Sequence, residues 1–300
     1  MLATAASELK AGAGTAALGE PALLVLDVDH TLLQGITAEH YAWYSASGFC
    51  AKFTYRPSAA RYRKYLARMM DENSGRMIHY TLAPEPESME FYVSIRPCLA
   101  ELLSQPLIVS GQVPVLLASA NEDERTAAIL ETLPMFEGRK TMLQAIGNCR
   151  FIPRAAFLDD YQRTRSGKKR IGDIRAWAER EGMLPEGGKL VFLDDKVPGN
   201  ISGSPTSNDF IFWISPFDLP ETLTIFNYQY ARWQAHREGA ESLCCATDGN
   251  SSKSDVDVCR YAPPASAEDM ALMARVRRIL FDAEVLPVEI GESAFDVERQ

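Results

Sequence analysis

Leu23-Leu24-Val25-Leu26-Asp27-Val28-Asp29-His30-Thr31-Leu32-Leu33 is a short apolar run that breaks into Asp-x-Asp-x-Thr. Pro21 precedes it and carboxylates follow it. A strand buried on both faces of a parallel sheet reads as such a continuous apolar run, so the segment is expected to be a central strand. Alternate side chains of a strand point the same way, so Asp27 and Asp29 would share a face if the strand continued. Two carboxylates that close repel each other unless a proton or a cation lies between them.

Other apolar runs end in the same fashion. Residues 113–118 lead into Ser119-Ala120-Asn121, followed by a helix expected over 122–133 with Asn121 and Glu124 as a capping pair. A strand, a hydroxyl and a helix N-terminus in succession make an anion-binding arrangement, because free N–H groups and the helix dipole point to one place. Residues 189–193 form a third core strand and end at Asp194-Asp195, and 209–214 form a fourth. Right-handed crossovers bring the carboxyl ends of parallel strands to one edge, where ligands bind in doubly wound sheets. Asp27, Asp29, Ser119, Asp194 and Asp195 should therefore converge. Four carboxylates in one crevice require a cation, and all-oxygen ligation suits Mg2+. The expected fold class is α/β, with a doubly wound parallel sheet, an insert after the first core strand and a helical C-terminal extension.

Between the first two core strands, residues 34–90 break the β/α alternation and read as an irregular insert or cap. Within it, 58–70 is a helix that Ser58 can cap, with Tyr62, Tyr65, Leu66 and Met69 as its apolar positions. Its Arg61, Arg63, Lys64 and Arg68 form a basic face, either solvated or used for docking an acidic or phosphorylated partner. Residues 90–95 have strand composition and end at Arg96-Pro97, where Pro97 can open a helix. Residues 151–152 and 155–158 are short strand candidates. A basic loop over 163–170 runs into an amphipathic helix carrying Ile171, Ile174, Trp177 and Ala178. A further helix is expected from Pro220 to about His236. The domain plan is a flexible tail over 1–20, a main α/β domain over 21–240, a polar linker over 241–265 and a helical extension over 266–300. In that extension Ser266 and Asp269 start a helix with Met270, Met273, Val276, Ile279 and Leu280 as its buried stripe.

The chain of 300 residues is 46% hydrophobic and 24% charged, with a net charge of -9. That balance argues against direct binding of nucleic acid or an anionic membrane. No apolar run approaches the roughly 20 residues that span a bilayer. The first twenty residues lack a basic segment followed by an apolar core, so no secretory signal is expected. Cys50, Cys98, Cys149, Cys244, Cys245 and Cys259 fit no C-x-x-C or zinc spacing, and reduced thiols in an intracellular protein, nuclear or cytoplasmic, are the simplest expectation.

Asp27-Val28-Asp29-His30-Thr31-Leu32 resembles the first motif of the haloacid-dehalogenase (HAD) phosphatases, and within them the FCP/SCP type, also called NIF-like or CTD phosphatases. Phe91 to Leu99 resembles that type's strand leading into Arg-Pro-Gly-Leu. Ser119-Ala120-Asn121 stands where the type has Thr-Ala-Ser, Lys169-Arg170-Ile171 where it has Lys-Asp-Leu, and Asp194-Asp195 where it has Asp-Asp or Asp-Asn. The resemblance covers roughly 21–232; the 34–90 insert is longer than the type's minimal form, and the C-terminal extension has no counterpart. The resemblance implies a HAD-like Rossmannoid fold and a Mg2+-dependent phosphatase working through an aspartyl-phosphate. Asp27 would be the nucleophile and Asp29 the acid and base. Ser119 and Lys169, with Lys168 as a competing lysine, would hold the phosphoryl group. Thr31, Ala120 and Asn121 would line the substrate site. Asp27, Asp29 through its carbonyl, Asp194 and Asp195 would hold the metal. A phosphoserine or phosphothreonine protein is the implied substrate. A non-catalytic peptide-binding scaffold and a phosphatase for small molecules or nucleic-acid ends are the alternatives.

Overall fold

The strands, in chain order, are β1 (Ala22–Leu26), β2 (Leu33–Gly35), β3 (Cys50–Tyr55), β4 (Tyr80–Leu82), β5 (Met89–Ile95), β6 (Val115–Leu117), β7 (Pro134–Met135), β8 (Lys140–Thr141), β9 (Cys149–Phe151), β10 (Lys169–Arg170), β11 (Lys189–Asp194), β12 (Ile201–Ser202) and β13 (Asp209–Trp213). The helices are α1 (Ala38–Tyr44), α2 (Ala59–Met70), α3 (Pro97–Leu103), α4 (Pro106–Val109), α5 (Asp123–Thr132), α6 (Met142–Ala145), α7 (Arg154–Phe157), α8 (Ile171–Arg180) and α9 (Ala267–Phe281). They belong to a computed structural model that describes residues 20–44, 50–71, 78–135, 140–158, 167–197, 199–217 and 267–281.

The fold is α/β. Five parallel strands form the main sheet in the order β13-β11-β1-β6-β9, with β1 at its centre. The four apolar runs read as core strands are all in it. The fifth, β9, has only three residues, too few to display a period. Leu24 and Leu26 of β1, Val115 and Leu117 of β6, and Val191 and Leu193 of β11 face one core with α3, α5 and α9. Leu23, Val25, Leu116, Leu190 and Phe192 face another with α8. Each such fully buried side chain contributes roughly 1.5–3 kcal/mol. Both faces being covered is why the strands read as unbroken apolar runs rather than alternating ones.

The insert is a second sheet rather than irregular chain. β5 pairs antiparallel with β3 along one edge and with β2 and β4 along the other. In β3, Ala51, Phe53 and Tyr55 are buried while Lys52 and Thr54 are exposed, the period-2 pattern of a half-buried strand. Phe91 stacks on Phe53 at 5.4 Å, and Tyr65 of α2 meets Tyr80 at 4.6 Å, so an aromatic core joins helix and sheet.

Three further local expectations are corrected. Residues 155–158 are not a strand: α7 occupies Arg154–Phe157, with the Arg154 N–H donating to Asp123 Oδ1 at 2.9 Å. An apolar run of four fits helix or strand equally well, and the flanking Pro153 decides for a helix start. Neither Asn121 nor Ser58 caps a helix through its side chain, because both are drawn into contacts between the insert and the main domain. Met270 is 57% exposed and falls outside the buried stripe of α9, whereas Met273, Val276, Ile279 and Leu280 are buried against the main sheet.

The helix expected over 220–236, the linker over 241–265, the tail over 1–19 and residues 163–166 of the basic loop lie outside the described residues. Among the described residues no helix is long and apolar enough to cross a membrane.

Candidate functional site

β1 stops at Leu26, and the chain turns: the N–H groups of Leu32 and Leu33 both donate to the Val28 carbonyl, at 3.0 and 2.9 Å. The buried side chains of Val28 and Leu32 fix this turn in the core. The strand therefore does not continue, and Asp27 and Asp29 part company. His30 takes a φ of 62°, a left-handed conformation uncommon for a residue with a side chain.

Asp27 faces inward. Lys169, held in the two-residue strand β10 against β12, is 0% exposed and places Nζ 2.5 Å from Asp27 Oδ1 and 2.8 Å from Asp194 Oδ2. Of the two lysines open in the sequence, 169 is the one that reaches these carboxylates. Asp194 is fully engaged: Oδ1 accepts from the Lys196 N–H at 2.8 Å, and Oδ2 also accepts from Asn200 Nδ2 at 3.0 Å. Thr31 Oγ1 accepts from the Asp195 N–H at 2.9 Å and donates to Asp195 Oδ1 at 3.5 Å, joining the turn after β1 to the end of β11. Among the described residues, no hydrogen bond reaches the second oxygen of Asp27 or of Asp195.

Asp27, Asp194 and Asp195 offer carboxylate oxygens that all lie within 4.8 Å of one another, and the three are buried. With Lys169 as the one ammonium among them in the described residues, the ionised group carries two excess negative charges. This cluster can hold a metal ion. Burial pushes the Asp27 carboxyl up to about 7, Lys169 opposing it and Asp194 and Asp29 adding to it. For Lys169 burial favours the neutral amine, but the charges of Asp27 and Asp194 outweigh it and hold its pKa above the ordinary lysine range.

Asp29 lies outside that cluster. Arg125 of α5 donates to both of its oxygens, Nη1 to Oδ2 at 3.0 Å and Nη2 to Oδ1 at 2.7 Å, and Asn121 Nδ2 donates to Oδ2 as well. Burial would raise the Asp29 pKa, but the Arg125 charge and these hydrogen bonds more than offset it and hold the carboxyl below its ordinary value. Arg125 in turn lies over the rings of Phe53 and Phe91, at 5.5 and 5.7 Å, so the insert sheet backs the pair.

Ser119 is buried just past β6, on the strand next to β1, and its Oγ accepts from the Asn121 N–H at 3.1 Å. Ala120 beside it is exposed. Asn121 Oδ1 also accepts from Arg61 Nη1 at 2.5 Å, and Ser58 Oγ donates to Glu122 Oε1 at 2.6 Å. Arg61 thus belongs to the joint between insert and main domain, while Arg63, Lys64 and Arg68 remain exposed. Trp213, at the end of β13, is 51% exposed and fixed by its indole N–H, which donates to the Asp195 carbonyl at 3.0 Å.

Asp27, Lys169, Asp194, Asp195 and Thr31 are therefore one connected cluster; Asp29, Asn121 and Ser119 form a second, joined to it through the turn after β1. Arg125, Asn200 and Trp213 carry no signal in the sequence that would single them out. A basic residue in the first turns of a helix is usually solvated, and Arg125 is remarkable only once its burial against Asp29 is seen. No protein-family model matches this sequence, and no curated protein matches it.

Proposed function

We propose that this chain is a Mg2+-dependent phosphatase of the HAD type, built on a doubly wound sheet, that hydrolyses phosphomonoesters through an aspartyl-phosphate. The observation that carries this reading is Lys169, wholly buried and bridging Asp27 to Asp194 at the carboxyl ends of β1 and β11. A carboxylate beside a fixed ammonium and a second carboxylate pair is the equipment of covalent phosphoryl transfer. The donor set fits the ion: its ligands are all oxygen, and a divalent cation cancels the two excess charges. Asp27 and Asp195, each with an oxygen that no described residue engages, would hold Mg2+, and Asp194 would chiefly fix the lysine. Bound Mg2+ would supply positive charge against the oxygens of the transferring phosphoryl group.

In the first half-reaction the Asp27 carboxylate attacks phosphorus as the bond to the leaving oxygen breaks, and Asp29 gives that oxygen a proton. In the second, a water attacks the aspartyl-phosphate, its proton passes to Asp29, and phosphate leaves. Lys169 offsets charge on the phosphoryl oxygens and on Asp27, and Ser119 with neighbouring N–H groups receives those oxygens. Asp29, held ionised by Arg125, is set for the second half; in the first it must be protonated, so leaving groups needing least help react fastest. The favoured substrate class, a phosphoserine or phosphothreonine protein, rests on the resemblance and on the exposed Arg63, Lys64 and Arg68 of the insert; as alkyl phosphates these depend most on Asp29 reaching its protonated form and turn over more slowly than an aryl phosphate in the same site. The buried thiols of Cys98 and Cys149 accord with an intracellular address, nuclear or cytoplasmic.

The test is turnover of an aryl phosphate and a phosphopeptide panel beside sugar phosphates and nucleotide ends, with Mg2+ and with chelator. The reading requires Mg2+-dependent release of phosphate that Asp27→Asn abolishes. Cleavage of sugar phosphates alone would move the substrate to small molecules, and no cleavage with peptide binding retained would make the chain a scaffold.

A further inference from the structure

α9 reaches the turn that carries Asp27 and Asp29 through one buried residue. Arg96, at the junction of β5 and α3, is almost wholly buried and distributes its guanidinium in three directions. Nε donates to the Thr31 carbonyl at 2.9 Å, and Nη2 donates to the His30 carbonyl at 3.1 Å and to the Ser215 carbonyl at 2.5 Å. Nη1 donates to both carboxylate oxygens of Asp269 on α9, at 3.1 and 3.3 Å. Phe217 closes the arrangement: Arg96 lies over its ring at 5.0 Å, and its N–H donates to the same His30 carbonyl at 2.6 Å. The two carbonyls gripped on the turn are those of the left-handed His30 and of Thr31 after it, so Arg96 holds the backbone where it takes a costly conformation.

A guanidinium buried this deeply needs a counter-charge, since an unpaired buried charge is strongly destabilising. Among these contacts, the carbonyls supply dipoles and Asp269 supplies the charge. We propose that Asp269 is a positioning residue: by neutralising and orienting Arg96, it makes α9 hold the Asp27–Thr31 turn in the conformation that aims Asp27 at Lys169 and Thr31 at Asp195. The C-terminal helix is then a working part of the site although none of its side chains is in the carboxylate cluster. The consequence for turnover rests on the phosphatase reading above; the consequence for the turn does not.

The experiment uses the full chain and compares Asp269→Ala with Met273→Ala, which removes a buried apolar contact of the same helix away from Arg96. Amide exchange is followed at Leu32 and Leu33, whose N–H groups close the turn on Val28, and kcat, KM and Mg2+ affinity are measured well below each variant's Tm. In Asp269→Ala the two amides lose protection at least tenfold, and kcat or Mg2+ affinity falls by about 10–100-fold, the range seen when a supporting partner of a site residue is removed. Met273→Ala lowers Tm but leaves both readouts near wild type, and Asp269→Glu restores part of the loss. If the two alanine variants change the amides equally, or Asp269→Ala changes neither turn nor turnover, α9 is only packing and the proposal falls. If wild-type protein has no phosphatase activity, the function proposed above falls, and this proposal is decided by amide exchange alone. Should Asp269→Ala fail to fold, Asp269→Asn, which keeps the shape and one acceptor oxygen, takes its place on the same criteria.

Discussion

Arg125 grips both oxygens of Asp29, Nη1 at 3.0 Å from Oδ2 and Nη2 at 2.7 Å from Oδ1. The arginine comes from α5, its flat face is backed by Phe53 and Phe91 of the insert, and the aspartate comes from the turn after β1. Three parts of the chain thus meet at the group proposed to move the proton. A bidentate guanidinium favours the carboxylate over the carboxylic acid, which suits a base and hinders an acid.

Arg125→Gln should therefore change the leaving-group dependence of the reaction. Losing the pairing lets the Asp29 pKa rise, so more of it is protonated when the leaving oxygen departs. Wild type is expected to favour aryl over alkyl phosphates strongly, and the variant to narrow that gap by about tenfold, a modest part of the roughly 10²–10⁴ that a general acid supplies. Ratios of kcat/KM across a series of phosphates measure it. An unchanged ratio would mean that Arg125 does not govern proton transfer.

Lys169→Met separates charge from binding. Methionine fills much of the space but leaves Asp27 and Asp194 without their shared ammonium. Metal-free stability is expected to fall by about 3–5 kcal/mol, the cost of breaking a buried pair. Affinity for Mg2+ should increase, because the cluster has lost a competing cation, and added Mg2+ should recover part of the lost stability. Turnover should nevertheless drop by about 10²–10³, the effect of removing one group aimed at developing charge. Calorimetric titration with Mg2+, thermal unfolding and kcat give the three readouts, and weaker metal binding would contradict the charge argument.

The raised carboxyl of Asp27 sets a pH dependence. Its folded-state value of about 7 lies above the ordinary 3.8, so between those limits the metal-free folded state holds a proton that the unfolded state has released. Stability of the metal-free protein should then fall as pH rises from about 4 to 7 through this group, the opposite of the usual paired aspartate. An ion must displace that proton below pH 7, so Mg2+ affinity should weaken by up to about tenfold per pH unit there and level off above. Titrations in buffers of different ionisation enthalpy should count close to one proton released at pH 6 and almost none at pH 8, and Asp27→Asn should remove the difference.

The main strands were legible because burial on both faces leaves nothing but apolar residues from Leu23 to Leu26 and from Leu190 to Leu193. The polar residues at their ends stood out against that background, so Asp27 and Asp194 were findable. The β3 strand was harder: its alternation spans only Cys50–Tyr55 and lies between two helices. Ala155 to Leu158 was misread because four apolar residues satisfy either period. The roles of Arg125, Arg96 and Asn200 were illegible for a different reason. Each acts through a partner far along the chain, Asp29, Asp269 and Asp194 respectively, and no local pattern records a long-range pair. Asn121 illustrates the competition: its local role as a cap lost to Asp29 and Arg61, which tertiary structure brought within reach.

Arg175 and Asp209 make the contrasting case of a buried pair remote from the chemistry. Arg175 on α8 donates from Nε and Nη2 to Asp209 Oδ1 at 2.9 and 2.6 Å, and to the Gly188 and Asn208 carbonyls at 3.1 and 3.2 Å. Asp209 opens β13, four residues and so about 13 Å from the carboxyl edge where Trp213 meets Asp195. Arg175→Met leaves Asp209 buried without its counter-charge and is expected to cost about 3–5 kcal/mol. Adding Asp209→Asn removes the uncompensated charge, so the double variant should be more stable than Arg175→Met alone. Below their Tm both should keep wild-type kcat, because neither residue touches the carboxylate cluster or the turn after β1. A loss of kcat in the folded double variant would mean that the amino ends of β11 and β13 are coupled to the site at their carboxyl ends.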